Sequence, residues 1–306
     1  MALTLSDIPD LALPGLRADF QAAYAAAADD STAARLATVV DTTLPVQRYA
    51  FLGAPPAMRE FLDERRPAGL AAYAVSVEDR TFESTIAVDR RAIEDDQLGL
   101  VRLRIREMAE RVALHRAKLV VETLVQGTSR IGYDGKPLLA TDHPTGTGAV
   151  SNLSSAGLES GALGDAIGRM MGWTDDGGDP LGIRPDVLLV PPSLQWIATE
   201  LVESPVVVYR GSDGPYTDFA NAFRGRLSVI VSPHVPAGQW YLVDSSRPMR
   251  PVILQQRSDV PVEFTALDGA SGAEAAFHRD RYHYGVRARY GTGPGLWQTV
   301  LAGGRS

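Results

Sequence analysis

Between Ala71 and Gly127 the apolar residues change period once, and that change limits what the chain can fold into. Tyr73, Val75 and Val77 alternate with small or polar neighbours. Beyond the polar stretch Glu78-Asp79-Arg80-Thr81 the alternation resumes with Phe82, Ser84, Ile86 and Val88. A period of two predicts a long two-stranded hairpin, half-buried on one face. An isolated ribbon of this kind is marginal in water, so it must lie on its own domain or on a neighbouring subunit.

After Asp89-Arg90-Arg91 the spacing becomes three and four. Leu98, Val101, Ile105, Met108, Val112, His115 and Leu119 then fall on one helical face. No Pro or Gly interrupts the run from Leu100 to Gln126, and Gly127 is a natural stop. A helix of ~27 residues is roughly 40 Å long. Glu94, Asp95 and Asp96 precede it, where negative charge favours the positive end of the helix dipole. Val120, Val121, Leu124 and Val125 widen the apolar stripe, so the C-terminal end should be the deeper one.

The chain has 306 residues, room for two compact units or for one domain with large excursions. With no cysteine it has no disulfide, thiolate metal site or cysteine nucleophile. No apolar run approaches the ~20 residues that span a bilayer, and no basic segment precedes an apolar run at the N-terminus, so no membrane partner is expected. A net charge of −7 argues against a protein whose main task is gripping nucleic acid.

Residues 1–46 read as an arm: an Ala-rich helix from Leu16 to Ala28, then a short strand candidate from Leu36 to Val40. A helix packed on the body and an extended arm fit this stretch equally well. Met58 to Leu62 suggests a short amphipathic turn, and Leu163 to Trp173 a helix. From Pro185 a new alternation of strand and helix begins: a strand at Asp186–Val190, a helix from Ser193 to Leu201 with Ser193 as its cap, and strands at Leu227–Val231, Trp240–Val243 and Val252–Gln255. The last long strand, Ala276 to Tyr290, has an aromatic and apolar face with Tyr282, Tyr284, Val286, Ala288 and Tyr290. Its other face holds Arg279, Arg281, Arg287 and Arg289. That arginine row fits packaged nucleic acid, an acidic neighbour or solvent.

No catalytic, cofactor-binding or metal-binding constellation survives inspection. Asp142-His143 is the best acid/base pair, and a small Asp/His hydrolase is the enzymatic alternative. Adjacent residues on a turn before Pro144 seldom aim at one target, and no G-x-S-x-G motif is present. His278-Arg279-Asp280 lacks the asparagine of a kinase loop, since Gly285 stands there. Gly135-Lys136 fails as a phosphate loop, with Arg130 and Pro137 at positions that need Gly and Ser or Thr. His278 and His283 fall on opposite faces of a strand and cannot share a metal. His115 reads as a satisfied core histidine and His234 as a turn residue.

The order of arm, hairpin, long helix, loop, strand-helix subdomain and final strand resembles the α+β Hong Kong 97 type capsid fold of tailed phages. The wording is similar to the Mu-like phage major head subunit family. The similarity lies in Phe82-Glu83-Ser84-Thr85-Ile86-Ala87-Val88 with Arg91-Ala92-Ile93-Glu94-Asp95-Asp96, and in Asp134-Gly135-Lys136-Pro137 through Thr141-Asp142-His143-Pro144. It continues in Trp240-Tyr241-Leu242-Val243-Asp244 with Arg247-Pro248, and in Tyr284-Gly285-Val286-Arg287-Ala288-Arg289 ending at Trp297-Gln298.

The resemblance implies a structural major capsid protein, not an enzyme, without cofactor. It would self-assemble into pentamers and hexamers of an icosahedral shell around double-stranded DNA, touched weakly and without sequence preference. It implies an arm over 1–46, an extended loop over 47–92, a peripheral domain with a spine helix over 93–184, an axial domain over 185–256, and a return to the peripheral domain over 257–306. Tyr73, Val75, Phe82, Ile86 and Arg90 become candidate intersubunit contacts, and the arginine row a DNA-facing or intersubunit surface. Scaffold, portal and head maturation protease are implied partners, and the virion, assembled in the host cytoplasm, is the implied location. An encapsulin-like shell is the alternative assembly. Some capsids of this fold cross-link through a lysine on the extended loop. Here the two lysines, Lys118 and Lys136, lie elsewhere, so a noncovalent shell is expected.

Overall fold

The computed structural model describes residues 8–29, 32–52, 72–89, 91, 98–145, 148–175, 178–210, 216–259, 262–267 and 280–305. It opens with α1 (Ile8–Asp29), α2 (Thr32–Leu36), β1 (Ala37–Thr42), β2 (Val46–Leu52), β3 (Ala72–Glu78), β4 (Arg80–Asp89) and α3 (Leu98–Val125). Next come β5 (His143–Thr145), β6 (Gly148–Val150), α4 (Ser160–Met171), β7 (Val187–Val190) and α5 (Gln195–Glu203). The chain closes with β8 (Val206–Arg210), β9 (Tyr216–Ala220), β10 (Ser228–Val231), β11 (Trp240–Val243), β12 (Val252–Arg257), β13 (Val262–Leu267), β14 (Arg281–Pro294) and β15 (Val300–Gly303).

Helix α3 is the expected beam, 28 residues and roughly 42 Å long. Val101, Ile105, Met108 and Val112 are buried, as are Val120, Val121 and Leu124 at the deeper C-terminal end. The stop at Gly127 comes from crowding: a Cβ there would stand closer than 3.0 Å to the Leu139 side chain. The Arg305 guanidinium donates to the carbonyl of Val125, placing a cation at the negative end of the helix. The acids at 94–96 lie outside the described residues. Of the two readings of the N-terminal segment, packing on the body holds. Leu16 and Phe20 are buried, and Asp19 meets Arg102 and Arg106 of α3.

Two sheets carry the rest. In the first, β14 is central: its 290–294 end pairs with β12, which runs parallel to β1, while 281–290 pairs with β4 along the opposite edge. Strand β13 pairs with 283–288 on the β12 side. The inner face, with Tyr282, Tyr284, Val286, Ala288 and Tyr290, packs on α1 and α3. Phe20 stacks on Phe264 and Phe82 on Tyr290. In the second sheet the order is β10-β7-β11-β15, and β7, β11 and β15 are buried end to end, so they read as continuous apolar runs.

Three expectations are corrected. The stretches 73–77 and 82–88 do not pair with each other: β3 pairs with β2 and β4 with β14. Asp79 alone separates them, too little chain for a reversal, so it forms a corner in one long strand that changes partner. Ser193 caps no helix, because Pro192–Leu194 forms a 3₁₀ turn and α5 starts behind Leu194 without a side-chain cap. The final strand runs on to Pro294; Asp280, with a φ of 50°, stands just before its first described residue, Arg281, and residues 276–279 lie outside the described residues. Within residues 257–306, β15 pairs with β11 in the second sheet. Among the described residues no helix is long and apolar enough to cross a membrane.

Candidate assembly site at the root of the hairpin

The hairpin is β2 with β3, in register from Val46 opposite Glu78 to Leu52 opposite Ala72. Its legs end at 52 and 72, and the segment between lies outside the described residues. Alternation turns Tyr49, Val75 and Val77 toward the body, where Val75 and Val77 pack on Ile253 with Val40, Tyr133, Met249 and Leu296 around them. The ribbon can come this close because β14 bears glycine at two successive outward positions. A Cβ on Gly291 would stand closer than 3.0 Å to the carbonyl of Glu78, and one on Gly293 equally close to Val77. The Gly291-Thr292-Gly293 pattern was a signal for this crossing that strand periodicity alone does not decode.

A polar latch fixes the angle. The Asp79 amide donates to the carbonyl of Pro45 at 2.9 Å. The buried Gln255 amide donates to Asp79 Oδ1 at 2.6 Å, and Gln255 Oε1 accepts from the Tyr49 hydroxyl at 2.9 Å. The second Asp79 oxygen has only Arg257, at 4.0 Å, and Arg257 is itself held by Asp259 at 2.7 and 2.5 Å. Burial first, and the Asp79 charge second, push the Tyr49 hydroxyl up to about 12. The hydrogen bond from Arg257 brings Asp259 down to about 2. Periodicity does not reveal Asp79 or Gln255, because each has its partner some 176 residues away in sequence.

The candidate contact residues are dispersed by this arrangement. Val75 is 7% exposed and taken up by its own chain, so it is not offered to a neighbour, contrary to expectation. Tyr73 sits opposite Phe51 in the ladder. Phe82 is half-buried between Tyr290 and His115, and Ile86 is half-buried on the core. Arg90 and Arg279 lie outside the described residues. On the outer sheet face, register sets Arg281 opposite Asp89, and Arg287 between Glu83 of β4 and Glu263 of β13, while Arg289 stands opposite Thr81. The row therefore runs between carboxylates of its own fold.

Beside the root, β4 and α3 enclose a groove of about 220 Å³ lined by Phe82, Met108, Val112, His115 and Ala288 with Glu83 and Arg111. Burial, then nearby Lys118, lowers the pKa of His115 below its ordinary value, and its Nδ1 shares a hydrogen bond with the Tyr290 hydroxyl at 2.6 Å. On α3, Leu100, Leu103 and Leu114 share an exposed stripe.

His143 is fully buried and its Nδ1–H donates to Asp134 at 2.7 Å, while its ring stacks on Trp297 at 4.2 Å. Its carboxylate partner is thus Asp134, not the adjacent Asp142, which points outward to Lys136. A ring with no path to solvent serves no hydrolase. Among the described residues no group of three His, Asp or Glu side chains can hold a metal, and His278 lies outside them. His234 sits in an exposed turn, its amide donating to Ser232 at 3.3 Å.

The family described as "Mu-like prophage major head subunit gpT" matches residues 11–161, 149–235 and 236–305. The chain is 25% identical over 303 residues to the Mu-like prophage FluMu major head subunit of Haemophilus influenzae, covering 99% of this chain and 75% of the relative. It is 30% identical over 126 residues to the major capsid protein of Escherichia phage Mu, covering 40% of this chain and 41% of that protein. Among solved structures, the procapsid of bacteriophage JBD30 is similar, with 26% identity and a TM-score of 0.55 over 95% of this chain and 74% of that one.

Proposed function

The chain belongs to the Mu-like prophage major head subunit family, a structural capsid protein of the phage head and not an enzyme, and from that premise we propose how it closes a shell. The β2–β3 hairpin is the element that overlaps a neighbouring subunit. Its root is locked to its own sheet, while residues 53–71 carry Met58, Phe61 and Leu62 beyond the last described rung. The exposed leucine stripe of α3 and the groove beside it form the receiving surface on the next copy. A latch that fixes the exit angle of a ribbon is useful only if its far end must meet a set target, and this observation carries the reading.

On this reading residues 185–256 form the axial body around which copies gather as pentamers and hexamers, and α3 is the peripheral spine. The shell encloses double-stranded DNA and is held without covalent cross-links, because no lysine lies on residues 47–92. Its arginine row, already set among carboxylates, makes at most weak contact with DNA. Scaffold, portal and a head maturation protease are its partners during assembly in the host cytoplasm, and the virion is its destination. The test is electron microscopy of the expressed protein beside a variant with a short Gly-Ser linker in place of residues 53–71. Regular particles from the first, and folded subunits without particles from the second, are expected. Particles from both would overturn the role given to the hairpin.

A further inference from the structure

Three of the four tryptophans, Trp173, Trp240 and Trp297, are buried, whereas Trp196 is 82% exposed. It occupies the second position of α5, whose Ala198 and Val202 face the four-stranded sheet, so Trp196, Glu200 and Glu203 form the outward stripe. Ile197, 42% exposed, lies next to it, and Val231, 37% exposed, ends β10, the edge strand against which α5 packs. At the other end of the helix the Asn221 amide donates to the carbonyls of Leu201 and Ser204, which brings the turn bearing Arg224 and Arg226 beside it. All four of these charged side chains are exposed, and among the described residues none makes an ion pair. An apolar centre beside a strand edge that has no partner among the described residues, flanked by exposed charges of both signs, has the anatomy of a protein interface. A tryptophan is the residue type most often found at the centre of one.

We infer that Trp196 anchors the contact by which a second copy of this chain packs against the α5–β10 edge of the four-stranded sheet. The inference rests on the capsid reading above, which supplies the occupant: a shell subunit must meet copies of itself. A surface holding both signs of charge can find its complement on an identical molecule. In a closed ring such a contact is head to tail, so the edge of one copy meets a different face of the next.

The fluorescence of the whole chain reports on this directly, because Trp196 is the one exposed tryptophan among the four. Acrylamide should quench one component strongly in unassembled subunits separated by size. That component should vanish, with a blue shift of emission, in assembled particles, and Trp196→Phe should remove it from the subunit. Trp196→Lys should leave the circular dichroism and melting temperature of the subunit unchanged and lower particle yield at least tenfold. Particles that keep a strongly quenched tryptophan, or a full yield from Trp196→Lys, overturn the inference alone. Wild-type protein that forms no multi-subunit species under the electron microscope overturns the capsid reading and this inference with it.

Discussion

Gln255 on β12 holds Asp79 at the strand corner by a 2.6 Å hydrogen bond, and through this bond the angle of the hairpin depends on the sheet beneath it. Gln255 is fully buried and also accepts from Tyr49, so one side chain satisfies groups on both hairpin strands' roots.

Gln255→Ala should therefore destabilise the subunit by about 3 kcal/mol, since it strands a buried carboxylate and takes the acceptor from the half-buried Tyr49 hydroxyl. For a chain of this size that lowers the melting temperature by roughly 5 °C. Hydrogen exchange should rise first in the amides of β2 and β3, leaving those of β7 and β11 protected. Equal loss of protection in both sheets would mean that Gln255 supports the core in general and not the hairpin.

Two glycines of β14 make opposite predictions. Gly291→Ala forces a methyl against the Glu78 carbonyl and should destabilise by about 1–3 kcal/mol while loosening the hairpin. Gly285→Ala meets the Thr85 and Thr265 hydroxyls at 3.4 Å and the Ser84 carbonyl at 3.8 Å, and should stay within about 0.5 kcal/mol of wild type. Calorimetry of the pair checks the contrast, and similar melting temperatures would show that β3 can slide off the sheet.

These sites mark where the sequence stops being informative. The period of α3 and the apolar runs of β7 and β11 are local, so they are legible without partners. Alternation in 73–77 and 82–88 states which faces are buried but not which strands pair, and here the strands pair with β2 and β14 instead of each other. The latch joins residues some 176 positions apart, and the glycines matter only because a ribbon crosses them. His143 was visible as a candidate, yet its partner Asp134 is nine residues away across a turn, a pairing set by tertiary packing around Trp297.

Removing His143 leaves Asp134, itself nearly excluded from water, without its partner and Trp297 without its stacked ring. His143→Ala should cost about 3–5 kcal/mol. Asp142→Ala, on the exposed neighbour, should leave the melting curve unchanged. Urea titrations of both variants test this, and a hydrolase would instead require that each lose an activity while the fold persists.

The groove histidine sets a pH dependence of known sign. Burial lowers the pKa of His115 in the folded subunit below its unfolded value of 6.5, so near and below that pH the unfolded chain binds the extra proton. The contribution of neutral His115 is thus complete above pH 6.5 and is lost as pH falls from there through the folded-state pKa. Protonation also fixes Nδ1 as a donor toward the Tyr290 hydroxyl. In His115→Gln, which keeps a polar group of similar length but cannot titrate, the fall in stability between neutral and mildly acidic pH should be shallower than in wild type. Denaturant unfolding at a series of pH values gives the difference between the two curves. A difference that does not change across this range would mean that His115 titrates with the same pKa in the folded and the unfolded chain.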